Sequence, residues 1–374
     1  MRDGQFTKSS TARIFHYAYE HRLVSKQHIA RDLELSLPTV AKAVSLLTKE
    51  GLMARDGTFP SAGGRPAAAY KFCADARFAI GIEIVAQKVN VAFLDLYGEM
   101  LGRHTHHISY EHTDAYRQGL AEALENDMSA LGMPRERLLG GTIAIQGIVS
   151  KDEHVTFGGL LGADSANVSL EDFAHLVSFP LRLVHDAEAA AYAEAWRHGG
   201  LRAFAYLSLN DHLGSALVRD GQLVRSPDFG AGVAEHMTIL PHGAQCYCGN
   251  HGCFETVLGA KALERQARMP LPQFFEALRT GDKGIARLWS TYLEYLALLI
   301  HNLRMTACGD VVIGGRIARY LTQKDLRVIR LKCTSMGALS TYPFHLARGH
   351  YEDLATVIGA GLLTVNEFLS RAIS

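Results

Sequence analysis

No stretch of this chain approaches the ~20 consecutive apolar residues of a membrane-spanning helix, and Met1-Arg2-Asp3-Gly4-Gln5 opens no apolar signal segment. Both absences point to a cytoplasmic protein with no membrane partner. Net charge is lacking too: 38 Lys and Arg balance 38 Asp and Glu, so overall charge draws the chain to no particular partner. Cysteine is scarce, six in 374 residues, which excludes a disulfide scaffold of the kind small secreted domains use. Cys73, Cys308 and Cys333 are scattered, as suits a reducing compartment. What is present, 48% hydrophobic and 20% charged residues, describes a folded, soluble chain, and its length suggests two or three domains at ~100–200 residues each.

The other three cysteines are crowded. In His236-x9-Cys246-x-Cys248-x4-Cys253 they fall within eight residues behind a histidine, a density that ordinary core packing does not call for. Three thiolates and one imidazole fill the tetrahedron of Zn²⁺ completely, so the spacing predicts a structural zinc with no open position for catalysis. Gly249 and Gly252 sit between the thiolates, where a tight knuckle needs positive φ or close backbone approach. The competing reading is three buried or disulfide-forming cysteines beside an unrelated histidine.

Balanced charge hides an asymmetry. Residues 1–72 carry 11 Lys and Arg against 6 Asp and Glu, leaving 27 against 32 for the remainder; the split suits a basic head for a polyanion, or an ordinary solvated face. Ile14, Phe15, Ala18 and Tyr19 form a helical stripe; Ser25 caps a second helix with Ile29 and Leu33 inward; Ser36 caps a third over roughly residues 37–49, with Pro38 in its first turn. Val40, Val44 and Leu47 share one side of that third helix. Thr39, Ala41, Lys42 and Ser45 share the other, small or cationic side chains that fit a major groove. A strand at Met53-Ala54-Arg55, a turn at Asp56-Gly57, the segment Gly63-Gly64-Arg65-Pro66 and a returning strand Ala69-Tyr70-Lys71-Phe72 complete a winged helix-turn-helix, with Arg65 stiffened for a minor groove. A three-helix protein-binding module is the alternative.

Beyond Cys73 strands and helices alternate. Strands are expected at 78–84 and 89–96 and after Tyr97-Gly98-Glu99, then a helix near 113–131 and a buried strand at 141–145. The set repeats with strands at 203–209, 214–218 and 222–225, helices near 256–268 and 284–306, a strand at 310–313 and a closing helix near 352–370. Two such halves imply two α/β lobes with a cleft between them.

Cys246-Tyr247-Cys248-Gly249-Asn250-His251-Gly252-Cys253-Phe254-Glu255 resembles the C-x-C-G-x-x-G-C-x-E signature of the ROK family of repressors, open reading frames and sugar kinases. The resemblance extends along the whole chain, and an N-terminal winged helix marks its repressor branch. It implies an actin-like, hexokinase-like body: a DNA-binding head at 1–72, a first lobe at 73–186 carrying the terminal helix 352–374, and a second lobe with the zinc site at 187–351. His236 would be the fourth zinc ligand and would also touch the sugar.

The resemblance separates kinase from repressor chemistry. Family kinases cradle phosphates with Asp-x-Gly-Gly-Thr; here the stretch is Glu83-Ile84-Val85-Ala86-Gln87, without either glycine or the threonine. The second phosphate loop is Asn210-Asp211-His212-Leu213-Gly214, also altered, and only Gly314-Gly315 survives. On the sugar side, Val184-His185-Asp186-Ala187 resembles the family's Asn-Asp-Ala, so Asp186 would accept a hydroxyl, as would Glu255. The family's Glu-x-Gly-His reads Val233-Ala234-Glu235-His236 here, so one carboxylate is lost unless Glu235 replaces it. Gln146 and His185 either bring new polar groups to the cleft or satisfy the backbone. The expectation is a non-enzymatic, ligand-responsive repressor, a homodimer or tetramer on a pseudo-palindromic duplex operator. Ser36, Thr39, Lys42, Ser45, Gly64 and Arg65 would face DNA, and Gln146, His185, Asp186, Glu235, His236 and Glu255 a sugar or sugar derivative. A sugar kinase and a constitutive DNA-binding protein are the alternatives.

Overall fold

The computed structural model describes residues 10–60, 66–150, 152–157, 161, 168–197, 201–225, 232–306, 309–337 and 342–371. Gly64 and Arg65 lie outside the described residues.

The head holds α1 (Ser10–His21), β1 (Leu23–Ser25), α2 (Lys26–Asp32), α3 (Leu37–Lys49), β2 (Met53–Phe59) and β3 (Ala67–Phe72). Ser25 Oγ accepts from His28 N at 3.1 Å and Ser36 Oγ from Thr39 N at 3.3 Å, so each hydroxyl satisfies a helix-end amide. The three strands are antiparallel in the order β1-β3-β2. Asp56-Gly57 is not the end of a strand but a bulge within β2. The register slips between Arg55 and Thr58, and Gly57, at φ 77°, takes the left-handed conformation that the extra residue demands.

The head's core does not stop at the head. Ile14, Phe15, Ile29, Val40, Val44 and Phe72 are buried in one continuous cluster with Ala79, Leu96, Val365 and Leu369 of the body. Hydrogen bonds follow the same seam: Tyr19 Oη donates to Leu96 O at 3.2 Å, and Tyr97 Oη donates to Tyr19 O at 2.9 Å.

The first lobe contains β4 (Phe78–Val85), β5 (Lys88–Asp95), β6 (Met100–His106), α4 (Asp114–Ala130), β7 (Leu138–Ile145), the hairpin β8 (Ile148–Val149) and β9 (Val155–Phe157), α5 (Glu171–Ala174) and β10 (Leu181–His185). Then come α6 (Asp186–Arg197), β11 (Phe204–Leu209), β12 (Leu213–Arg219), β13 (Gln222–Leu223), α7 (Glu255–Leu258), α8 (Ala260–Ala267), α9 (Leu271–Arg279), α10 (Lys283–Thr306), β14 (Asp310–Gly314), α11 (Gln323–Ser335), β15 (Leu346–Arg348) and α12 (Ala355–Arg371). The large sheets run β10-β7-β4-β5-β6 and β13-β12-β11-β14-β15. Each is an antiparallel meander extended by two parallel strands, so the two lobes repeat one topology.

The helix expected near 256–268 is two helices. Gly259 breaks it in extended conformation because Ala260 N and Lys261 N turn to donate to Asn210 O at 2.8 Å and Asp211 O at 3.1 Å. At the other end, α12 lies across β4, β5, β7 and α6. Glycine permits that closeness: a Cβ at Gly81 would overlap Val357 O, and one at Gly359 would overlap Ala189 O. Thr142 and Thr364 share a buried hydroxyl hydrogen bond of 2.8 Å in the same contact. No described helix is long and apolar enough to cross a membrane.

Candidate functional site

Two parallel strands and one helix terminus build the floor of the cleft. β10 ends at His185 as α6 begins at Asp186, β7 runs out towards Gln146, and the short helical turn at Ala234–His236 closes the far wall. Gln146, His185, Asp186, Glu235 and His236 line a single pocket with Ser208, His212 and Tyr247. Val233 is not among its lining residues.

His185 Nε2 lies 3.0 Å from Asp186 Oδ1, which also accepts from Ala187 N at 2.8 Å. Burial opposes charge on His185, but the Asp186 hydrogen bond and the Asp186, Glu235 and Glu188 carboxylates outweigh it and push its pKa up to about 9. Glu235 is 3% exposed and accepts from Ser215 Oγ at 2.5 Å. Burial pushes Glu235 up to about 7, against the pull of His185 and the Ser215 hydroxyl.

Glu255 stands one layer behind this pocket. Its Oε1 lies 2.5 Å from His212 Nδ1 and its Oε2 accepts from Leu213 N at 2.6 Å, so both oxygens are engaged within the protein. His212 is what Glu255 presents to the cleft. Nothing local in the sequence announces the pair, since 43 residues separate them; the signal available was a histidine in place of a small residue in the second phosphate-loop stretch.

One ring nitrogen of His236 and the Sγ atoms of Cys246, Cys248 and Cys253 all fall within 4.8 Å of one another. Cys246 Sγ is 3.6 Å from His236 Nδ1 and Cys248 Sγ is 3.7 Å from Cys253 Sγ, close to the ~3.8 Å edge of a tetrahedron with 2.3 Å metal–sulfur bonds. All three thiols are unlinked, which removes the disulfide reading for them. Burial raises the Cys246 and Cys253 thiols above their usual range, so a metal displaces protons as it binds. Gly249 at φ 89° and Gly252 at φ 69° make the knuckle, and a Cβ on Gly252 would overlap Leu240 O. The cluster can hold a metal ion, and its donor set fits zinc.

The places where phosphates would bind are built differently. Ala86-Gln87 is a plain two-residue turn joining Val85 to Lys88, and Glu83 beneath it accepts from Asn90 Nδ2 at 2.6 Å. Burial raises Glu83 to about 7. The 210–213 turn is tied down on several sides: Asn210 Oδ1 accepts from Arg316 N at 3.0 Å, and Asp211 pairs with Arg316. A carboxylate therefore occupies a loop that would have to approach phosphate oxygens.

On the head, α3 buries Val40, Ala43, Val44 and Leu47 and exposes Ser36, Lys42 and Ser45, with Thr39 half-buried. Ser36 Oγ and Thr39 Oγ1 are 2.8 Å apart, so the cap and the first outward side chain form one polar unit.

A basic three-helix head joined to two repeated α/β lobes, with a Cys₃His knuckle beside the interlobe pocket, defines the class. Residues 79–367 match the model of the ROK family, and the chain belongs to that family. A xylose repressor of Bacillus subtilis strain 168 is 23% identical over 301 residues, covering 78% of this chain and 77% of that protein. An N-acetylmannosamine kinase of Escherichia coli strain ATCC 8739 is 27% identical over 263 residues, covering 66% of this chain and 87% of the kinase. In three dimensions, a ROK family transcriptional regulator described as a homologue of the E. coli MLC protein superimposes with TM-score 0.78 at 18% identity, over 98% of this chain and 97% of its own. The kinase alignment leaves a third of the chain unmatched; the regulator superposition takes in the head.

Proposed function

We propose that this protein is a sugar-responsive transcriptional repressor. The reading is carried by one combination: a cationic helix-turn-helix face fused to a ROK body whose first phosphate loop is reduced to the Ala86-Gln87 turn. Residues 1–72 form the winged DNA-binding head, 73–186 the first lobe with α12 against it, and 187–351 the second lobe. Ser36, Thr39, Lys42 and Ser45 face the major groove of a duplex operator, with Gly64 and Arg65 of the wing in the minor groove. A homodimer or tetramer places two heads on a pseudo-palindrome in the cytoplasm.

The effector, a sugar or sugar derivative, binds between the lobes on Gln146, His185, Asp186, Glu235 and His236, with Glu255 acting through His212. A structural zinc on His236, Cys246, Cys248 and Cys253 pins the wall that carries His236 and Glu255. A ligand that favours one lobe arrangement by ~1–3 kcal/mol changes operator affinity about 5–150-fold. No nucleotide is consumed, because neither loop offers the bare amides that phosphoryl transfer requires.

The test is a mobility-shift titration on duplexes selected by the protein itself, repeated across a sugar panel, beside an ADP-release assay. The expected result is sequence-selective binding that one sugar class shifts at least fivefold, with no ADP released. Asp186-dependent turnover, or indifference to every duplex offered, overturns the proposal.

A further inference from the structure

A cavity of about 300 Å³ lies behind the interlobe pocket, at the lower end of the range for small-molecule sites. Strand alternation separates the two. His185 of β10 turns to the interlobe pocket, while Val184 and Arg182, on the opposite face of the same strand, turn to the cavity. α6 and the C-terminal half of α12 supply two more walls, and β13 of the second lobe a fourth. Both lobes and the helix against which the head packs therefore meet here, and no lining residue is shared with the interlobe pocket. With the lobes as they stand, that pocket leaves about 20 Å³, room for about one water. The cavity has space for a ligand.

Charge narrows what it can take. Arg182 Nε donates to Glu153 at 3.1 Å and its Nη1 to Glu367 at 3.4 Å, and Arg225 donates twice to Glu188 Oε2, at 3.1 and 2.7 Å. The other oxygen of Glu367 accepts from Arg371 at 2.5 Å. Among the described residues, three guanidinium groups in this network stand against three carboxylates, so it draws neither an anion nor a cation. What remains is neutral and two-sided. The side-chain amides of Gln222 and Asn366 each bring donors and an acceptor, while Val184, Leu223, Leu363 and the Tyr192 ring line apolar wall. Planar amides and spare guanidinium edges match neighbouring hydroxyls, and the apolar wall matches the C–H face of a saturated ring.

We propose that this cavity is a second small-molecule site, separate from the interlobe pocket, and that it takes a neutral, hydroxyl-rich ring of the mono- or disaccharide class. An occupant touches β10 and α12 of the first lobe and β13 of the second at once, so its affinity changes when the lobes move relative to each other. By linkage, the two sites then alter each other's affinity by one common factor.

The experiment is calorimetric titration of the full-length, zinc-replete protein and of Asp186→Asn with D-glucose, D-xylose, N-acetyl-D-mannosamine and sucrose, with D-glucuronate and D-glucosamine as charged controls. Asp186→Asn disables the interlobe pocket yet keeps an oxygen for Ala187 N, which Asp186 Oδ1 now serves. At least one neutral sugar is expected still to bind that variant, about tenfold more tightly than either charged control, since a buried charge without a partner is penalised. Gln222→Ala and Asn366→Ala, added to Asp186→Asn at positions that reach solvent, are each expected to weaken that binding about tenfold, as loss of a hydrogen-bond partner does. No neutral sugar binding to Asp186→Asn, a charged control binding best, or an affinity that both amide variants leave unchanged overturns the inference. The wild type keeps the two sites apart. A single binding event that survives Asp186→Asn and is lost in the amide variants defeats the interlobe effector site alone, and a single event lost in Asp186→Asn defeats this one alone.

Discussion

The turn between β4 and β5 and the turn between β11 and β12 occupy equivalent places in the two repeated lobes, yet they are held to different degrees from outside. The first is secured mostly within its own hairpin: Glu83 is bonded to Asn90 across one strand pair, two residues close the turn, and from outside Tyr110 N donates to Ala86 O at 3.0 Å. The second is secured from outside. Arg316 after β14, Glu255 after the knuckle and the first amides of α8 all converge on residues 210–213. One topology therefore yields an inert tip in the first lobe and a junction in the second, and the junction links the cleft to the Cys₃His cluster, whose Cys253 lies two residues from Glu255.

The sharpest way to break that contrast is at the knuckle. Cys253→Ala, or exhaustive chelation, is expected to cost about 4 kcal/mol or more and to lower the melting temperature steeply, with elemental analysis giving about one zinc per chain beforehand. A metal-free preparation that melts as before would remove the junction's anchor. Next is Glu255→Ala, which strands the Leu213 amide and frees His212. A loss of about 2–3 kcal/mol in denaturant unfolding is expected, as for buried hydrogen bonds to a charged group.

The inert tip makes a prediction about pH. Glu83 is raised from about 4.5 in the unfolded chain to about 7 in the fold, chiefly by burial. A raised folded-state value contributes stability that is complete below about 4.5 and is lost as pH climbs through about 7, here on the order of 3 kcal/mol. Glu83→Gln should remove that slope. The variant gains on the wild type between pH 5 and 8, and equal unfolding curves at pH 8 would contradict the assigned burial penalty. The smallest effect belongs to Arg316→Ala, because Arg316 and Asp211 are both about 40% exposed. A surface pair of this kind is worth ~1 kcal/mol or less, readable as a melting shift of a few degrees at most.

How far the sequence anticipates this structure depends on how local each signal is. The caps Ser25 and Ser36 act on amides three residues away, and all four cluster donors lie within one short segment, so they can be read directly. The bulge at Asp56-Gly57 differs from a hairpin turn only in what its partner strand does. The break at Gly259 depends on Asn210 and Asp211, and α11 is absent from the sequence-based assignment although Thr322 and Asp325 form a capping box. Glu255 is the clearest limit. Its position in the cysteine motif is plain, but the direction in which its oxygens point is decided by a histidine on another hairpin.

The shared core between head and body has a mechanical consequence. Phe15 meets Phe368 of α12 edge to face at 6.1 Å, and Phe72 packs against both Phe15 and Tyr19. A head joined by a loose tether would wander independently of its body. This one is riveted to the same helix that braces Asp186's own helix through Gly359 and Ala189, so any displacement of that helix carries the head with it, like a plate bolted to a beam.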